Sequence, residues 1–454
     1  MARARGVLVA VSVILFEVWG AAGAGGINIA RIRIAMPMTI GPPKSRACKA
    51  ACFFSFFLNI LVFVFAIRDI NILPKKFISY TTRMKKKRTR NQYKWTLPLL
   101  GLLAIALVGT FAHLHFSDKT PSLPDPPLKT LAAQHNIKLG NFAISSHINE
   151  KPYEQILTRQ FNVALLDNTP NWYFTDGGLR PSPTTYNFST MDKLVNFAQS
   201  NHMDMQAHHL VWGEEKWLPD WLKNGNYSKS QLLDLIHQHI ATVAGRYNGK
   251  ISEWTVVNEA FTRKQHIFGL HDWWADHTGD NSYIAQSFIW AHQADPSAKL
   301  ILNDFNNESQ NSVSDAMYSY IKQAKASGVP IDGVGMQMHI DGTRPPNKQA
   351  VINNMRRFGS LGVQVYITEF DVNMSNVKGS DKEKDKKEAD IYYQMMRACI
   401  ESQVCHSFSI LGITDKETWY NYLGTASDAR PLPFDQHYNP KPAYWALRQA
   451  LEEK

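Results

Sequence analysis

The chain has 454 residues, room for two or three ordinary domains or for one large barrel with an appendage, and its 44% hydrophobic and 11% aromatic content excludes a disordered polymer. The formal net charge of +10 points toward nucleic acid only until it is divided: of 49 Lys and Arg, 17 lie in residues 1–117, opposed there by Glu17 and Asp69 alone. From residue 118 onward acidic residues outnumber basic ones, 37 to 32, so the basic excess sits beside apolar N-terminal runs, where it sets membrane orientation, and nucleic acid is excluded as a partner.

Three apolar runs come first, at residues 6–20 (interrupted by Glu17), 51–67 and 95–112. The third follows Met84 and the cluster Lys85, Lys86, Lys87, Arg88, Arg90 and Lys94, and no charge appears from Trp95 to Ser117. A basic segment ahead of an apolar one that can reach across a bilayer reads as a signal or membrane anchor over residues 84–117. Two outcomes stay open, a cleaved signal peptide and an uncleaved anchor. Residues 1–83 carry no domain pattern and read as an upstream extension of a chain that begins at Met84, with extra membrane segments as the competing reading. A Pro-rich link follows at 118–127, where Pro121, Pro124, Pro126 and Pro127 make a semi-rigid spacer.

From 128 to 454 short β-branched or aromatic runs alternate with amphipathic stretches. Strands are expected at 141–145, 162–166, 204–211, 253–257, 299–303, 333–338, 364–368 and 407–412. Between them lie helical patterns such as 231–246, with Leu232, Leu235, Ile236, Ile240 and Val243 on one face. Eight strand–helix alternations predict an α/β fold, a (β/α)₈ TIM barrel, whose chemistry sits where the strands end. No internal sequence repeat is visible, and a monomer is expected.

Two of those strand ends carry carboxylates. The fourth runs through Trp254, Val256 and Val257 into Asn258, Glu259 and Ala260; the seventh runs through Tyr366 and Thr368 into Glu369, Phe370 and Asp371. Two carboxyl groups facing one cleft at roughly 5–5.5 Å are what retaining glycoside hydrolysis needs, one as acid and base, the other as nucleophile. The nucleophile has to stay ionised and so calls for surrounding donors, whereas the acid calls for burial and a neighbouring negative charge. His208, His209 and His339 invite a metal reading, but adjacent strand residues point to opposite faces, so His208 and His209 are not expected to chelate together; neither metal nor cofactor is expected.

These strands resemble those of glycoside hydrolase family 10, the β-1,4-xylanases, over nearly all of 130–450. The resemblance extends to His208 with Leu210, Val211 and Trp212, to Asn303-Asp304-Phe305-Asn306, to Gly335 with Gln337 and His339, to Thr414-Asp415-Lys416 with Trp419, and to Lys441-Pro442-Ala443. It implies a (β/α)₈ fold, a xylan or related β-glycan substrate, Glu259 as acid/base and Glu369 as nucleophile. Asn258, His339 and Asp371 would support catalysis, and Asn168, His208, Trp212, Gln337 and Trp419 would bind sugar. It further implies a disulfide between Cys399 and Cys405, for which two free thiols are the alternative, and a barrel secreted or anchored outside the cytoplasm.

The chain departs from the family's pattern at four sugar-binding positions. Asn171 stands where the family has Lys, Gly213 and Glu215 where it has His-x-Gln, and Leu411 where it has a Trp wall. Each departure touches glycone-side specificity and leaves the carboxylate pair in place. Three other functions are weighed: a β-glucanase or other β-glycan hydrolase of the same barrel superfamily; a carbohydrate-binding barrel without catalysis, which predicts loss of a carboxylate that is in fact present; and a membrane protein whose barrel is an adhesin or scaffold, which the intact catalytic strands disfavour.

Overall fold

The computed structural model describes residues 13–17, 30–34, 123–167, 169–172, 178–264 and 271–453, and divides into two units, 1–115 and 116–454. In the first unit β1 (Val13–Glu17) and β2 (Ala30–Ile34) pair antiparallel, Val13 opposite Ile34 and Glu17 opposite Ala30. The 51–67 run, the basic cluster and the 95–112 run expected to meet a membrane lie outside the described residues. Among the described residues no helix is long and apolar enough to cross a bilayer.

The second unit is built on strands buried on both faces, which is why they read as nearly continuous apolar runs. They are β3 (Lys138–Phe142), β4 (Val163–Leu165), β5 (Asp204–Trp212), β6 (Glu253–Asn258), β7 (Lys299–Asp304), β8 (Gly333–Met336), β10 (Gln364–Asn373) and β11 (Cys405–Ile410). Each pairs in parallel with the next, and β11 pairs with both β10 and β3, so the eight close into the expected (β/α)₈ barrel. A ninth short strand, β9 (His339–Asp341), lies beside the extension of β10, with His339 opposite Asp371.

Helices α1 (Leu128–Ala133), α2 (Lys151–Gln160), α3 (Ser189–Ser200), α4 (Lys229–Arg246), α5 (Ser282–Ala294), α6 (Ser312–Ala326), α7 (Lys348–Gly359), α8 (Asp381–Ser402) and α9 (Pro442–Glu452) accompany the strands. Helix α4 shows why they form. Ser228 and Gln231 make a reciprocal capping box, and Leu232, Leu235, Ile236, Ile240 and Val243 are all buried, the apolar face read from the sequence. The Cys399–Cys405 disulfide is present and ties the end of α8 to the start of β11.

Several boundaries move; the eighth strand, for one, runs Cys405–Ile410 and not 407–412. The first barrel strand begins at Lys138, not 141, because Lys138 closes the strand's lower end by pairing with Asp204 at 2.9 Å. The sixth stops at Met336 and resumes as β9, with Met338 between them in the left-handed region at φ 59°. The seventh continues past Thr368 to Asn373 because β9 supplies it with a partner.

Candidate active site

The site is assembled where β5, β6, β7, β8 and β10 end. Ladder irregularities fall just there, between His208 and Val211, Thr255 and Val257, and Ile367 and Phe370. Such interruptions break strict alternation and re-aim side chains into a cleft. Glu259 itself sits at φ 60°, a left-handed conformation that costs a non-glycine residue about 1–2 kcal/mol and persists only where its surroundings hold it. They do so from several directions. Its N–H donates to the Asn303 carbonyl at 2.8 Å, and the turn that follows, Ala260–Lys264, is capped by buried Asp304, which accepts from the N–H groups of Phe261 and Thr262.

Both carboxylates are buried, and each is surrounded by donors. Glu259 Oε2 accepts from Trp212 Nε1 at 2.7 Å and from Arg263 Nε and Nη2 at 2.9 and 2.6 Å; its Oε1 accepts from Gln337 Nε2 at 3.0 Å. Glu369 Oε1 accepts from Asn303 Nδ2 at 3.0 Å and lies 3.5 Å from His208 Nε2, while its Oε2 lies 3.6 Å from His339 Nε2. The two are joined by one polar path. Gln337 Nε2 also reaches Asn258 Oδ1 at 3.3 Å, and Asn303 Nδ2 donates to that same oxygen at 2.8 Å.

Behind Glu369, Asp371 Oδ2 faces His339 Nδ1 at 3.1 Å and accepts from Trp419 Nε1 at 2.7 Å, while its Oδ1 accepts from the Tyr420 hydroxyl at 3.0 Å. Burial alone would raise the Glu369 carboxyl, but His208, His339 and Asn303 overcome it and hold the group below the usual glutamate value. Burial alone would likewise lower His339; the Asp371 and Glu369 carboxylates reverse that and raise it to about 10, so a cation faces Glu369 at neutral pH. His208 goes the other way: burial outweighs both carboxylates and lowers it below the usual histidine value.

The structure thus brings together Glu259, Glu369, Asn258, His208, Trp212, Gln337, His339, Asp371 and Trp419. Asn168 lies outside the described residues. His208 and His209 do not face opposite ways as expected: their ring centroids stand 4.6 Å apart, because β5 is irregular at that point. Among the described residues the group His147, Glu150 and Glu417 also places ligand-type atoms within 4.8 Å of one another, but Lys416 Nζ and the Tyr438 hydroxyl already occupy Glu150 Oε2 at 3.0 and 2.8 Å.

Sequence reasoning quoted Asn303 only within a motif and passed over Arg263 and Tyr420. An uncharged Asn announces no chemistry by itself. Arg263, four residues after Glu259 on a helical turn, carried a readable signal in that spacing.

The departures have local causes. A Cβ on Gly213 would stand 2.2 Å from Asp272 Oδ1, so the approach of Asp272 excludes any larger residue there unless it moves. Leu411 packs against the small cluster of Phe142, Val163 and Leu165. Asn171 is buried, its Oδ1 accepting from the N–H of Trp172 at 2.7 Å and its Nδ2 without a partner among the described residues.

The family model described as "Glycosyl hydrolase family 10" matches residues 127–450. The chain is similar to endo-1,4-beta-xylanase B of Thermotoga neapolitana, 36% identical over 366 residues that cover 79% of this chain and 98% of that enzyme. It is also similar to the beta-1,4-xylanase of Dictyoglomus thermophilum, 32% identical over 77% of this chain and 97% of that enzyme. Among solved structures, native xylanase 10B of Thermotoga maritima superposes with a TM-score of 0.66 at 35% identity, covering 72% of this chain and 98% of that one. Xylanase 10B of Thermotoga petrophila RKU-1, in complex with xylobiose, gives 0.66 at 34% identity, covering 73% and 99%.

Proposed function

The chain belongs to glycosyl hydrolase family 10 and is a xylanase-like glycoside hydrolase, and from that membership we propose that it cleaves β-1,4-linked xylan internally, with retention, through a covalent glycosyl-enzyme. One observation carries the division of labour: two buried carboxylates at the ends of β6 and β10, linked through Gln337, Asn258 and Asn303 yet differently surrounded.

Glu369, held ionised, attacks the anomeric carbon as the glycosidic C–O bond breaks, and Glu259 gives its proton to the departing oxygen. Glu259, now a carboxylate, takes a proton from water; the oxygen of that water attacks the anomeric carbon and expels Glu369 as a carboxylate. His339 and Asp371 hold Glu369, Asn258 faces the sugar 2-hydroxyl, and His208, Trp212, Gln337 and Trp419 line the sugar subsites. Proton NMR of the first product tests the stereochemistry. The β-anomer is expected, and the α-anomer as first product would overturn the retaining reading.

Leu411 favours a second reading of the substrate. A Leu packed on Phe142, Val163 and Leu165 in place of a Trp wall is smaller, which favours a hydroxymethyl-bearing glucan or a decorated xylan at the glycone side.

The barrel is proposed to act outside the cytoplasm, secreted or held by residues 95–112. The basic cluster before Trp95 and the Cys399–Cys405 disulfide, of a kind that persists in oxidising compartments, support this. A C-terminal tag reachable on intact cells or in the medium is expected; a tag found only in the cytosol would refute export.

A further inference from the structure

The donors that aim at Glu259 include one that none of the matched motifs contains. Arg263 is almost fully buried, with 6% of its side chain exposed, and it uses its whole guanidinium edge. Nε and Nη2 grip Glu259 Oε2 at 2.9 and 2.6 Å, and Nη1 pairs with Glu214 Oε2 at 2.6 Å. Glu214 comes from a different loop, the segment after β5, two residues beyond Trp212, whose own Nε1 also reaches Glu259 Oε2. The Arg263 guanidinium carbon lies 5.7 Å from the centre of the Trp212 ring. This is the stretch where Gly213 and Glu215 depart from the xylanase pattern, so the altered β5 loop supplies the anchor for Arg263.

The consequence is geometric. Three N–H groups converge on Oε2, which leaves no lone pair on that oxygen for a proton, whereas among the described residues Oε1 accepts from Gln337 alone. A planar fork held at both ends is more rigid than a lysine in the same place. We propose that Arg263, anchored by Glu214, is a positioning residue for proton transfer: it fixes the Glu259 carboxyl plane and directs the catalytic proton to Oε1, the oxygen left to face the leaving group.

This inference rests on Glu259 being the acid/base, so the test separates the two. kcat/KM, which reports cleavage of the first bond, is measured on aryl xylobiosides whose leaving groups run from 2,4-dinitrophenol to unsubstituted phenol. Glu259→Ala serves as the control. Arg263→Gln is expected to lower kcat/KM on the phenyl glycoside about 10- to 100-fold and to leave the dinitrophenyl glycoside within about threefold, because only the poor leaving group needs a well-placed proton. Arg263→Lys should recover part of the loss. Glu214→Gln should give the same pattern more weakly, and the double variant should be no worse than Arg263→Gln, as expected for two residues acting through one carboxylate.

A loss that is equal across the leaving groups, or no loss at all, overturns the proposal, provided Glu259→Ala shows the leaving-group dependence. If Glu259→Ala does not show it, the assignment of the acid/base fails first. Unfolding temperatures measured alongside separate a misfolded variant from a mispositioned carboxyl.

Discussion

His339 stands between two carboxylates, its Nδ1 3.1 Å from Asp371 and its Nε2 3.6 Å from Glu369. Glu369 attacks only when ionised, so activity is present above its folded-state pKa and is lost as pH falls through it. Because that value lies below the ordinary 4.5, the acid limb of kcat/KM is expected below 4.5. His339→Ala should move the limb to higher pH and lower activity throughout; an unmoved limb would mean that His339 does not hold the nucleophile ionised. Stability carries the opposite dependence. His339 is raised from 6.5 to about 10, so its contribution is fully present below 6.5 and is lost as pH rises through 10. Denaturant titrations from pH 6 to 10.5 should show this decline in the native protein and a shallower one in His339→Ala.

Asn303 offers a second test, because it touches both halves of the machinery. Its Nδ2 bonds Glu369 and Asn258, and its Oδ1 accepts from the Thr368 hydroxyl at 2.8 Å. A hydrogen bond to a charged group is worth about 1.5–3 kcal/mol, so Asn303→Ala should cost about 10- to 150-fold in kcat with KM little changed. A rise in KM at constant kcat would instead place Asn303 in substrate binding.

Much of the barrel was legible because its physics is local. Leu232, Ile236, Ile240 and Val243 announce the buried face of α4 by spacing alone, and Glu259 and Glu369 announce themselves as carboxylates at the ends of apolar runs. What was not legible depends on contacts distant in sequence. The run of β10 to Asn373 needs β9 beside it, and the contact of the His208 and His209 rings needs the irregular join between β5 and β6. Asn303 bridges two strands that are not its own, and no periodicity reports such a bond. The fit of Gly213 is decided by Asp272, 59 positions further along the chain.

The disulfide gives a prediction about stability alone. Cys399 and Cys405 are separated by 6 positions, and closing so short a loop removes entropy from the unfolded chain equivalent to about 2 kcal/mol. The double variant Cys399→Ser, Cys405→Ser should therefore melt a few degrees lower while keeping kcat/KM, since the bridge lies at the lower end of β11, away from the site. Differential scanning calorimetry under oxidising and reducing conditions checks this, and a loss of activity without a loss of stability would contradict it.

Specificity provides the widest departure from the xylanases the chain resembles. Asn171, Gly213, Glu215 and Leu411 replace groups that would donate to, or stack on, the sugars before the cleavage point. A missing charged donor costs about 1.5–3 kcal/mol and a lost aromatic platform about 0.5–1.5 kcal/mol beyond its area. Gly213 has no room to regain a side chain while Asp272 stays in place, and Leu411 has turned to packing with Phe142 and Leu165. Remote binding energy helps to distort the reacting sugar, so the deficit should fall on kcat/KM and not on KM alone. Activity on linear xylan is expected to be lower than that of an ordinary xylanase by about two orders of magnitude, the sum of such losses. A xylan carrying arabinose or glucuronate, or a mixed-linkage glucan, should be cleaved better. Leu411→Trp should shift the preference back toward linear xylan by restoring a stacking wall. Kinetics on the three polymers with both forms decide it. Full efficiency of the native protein on linear xylan, unchanged by Leu411→Trp, would show that these four positions do not set the specificity.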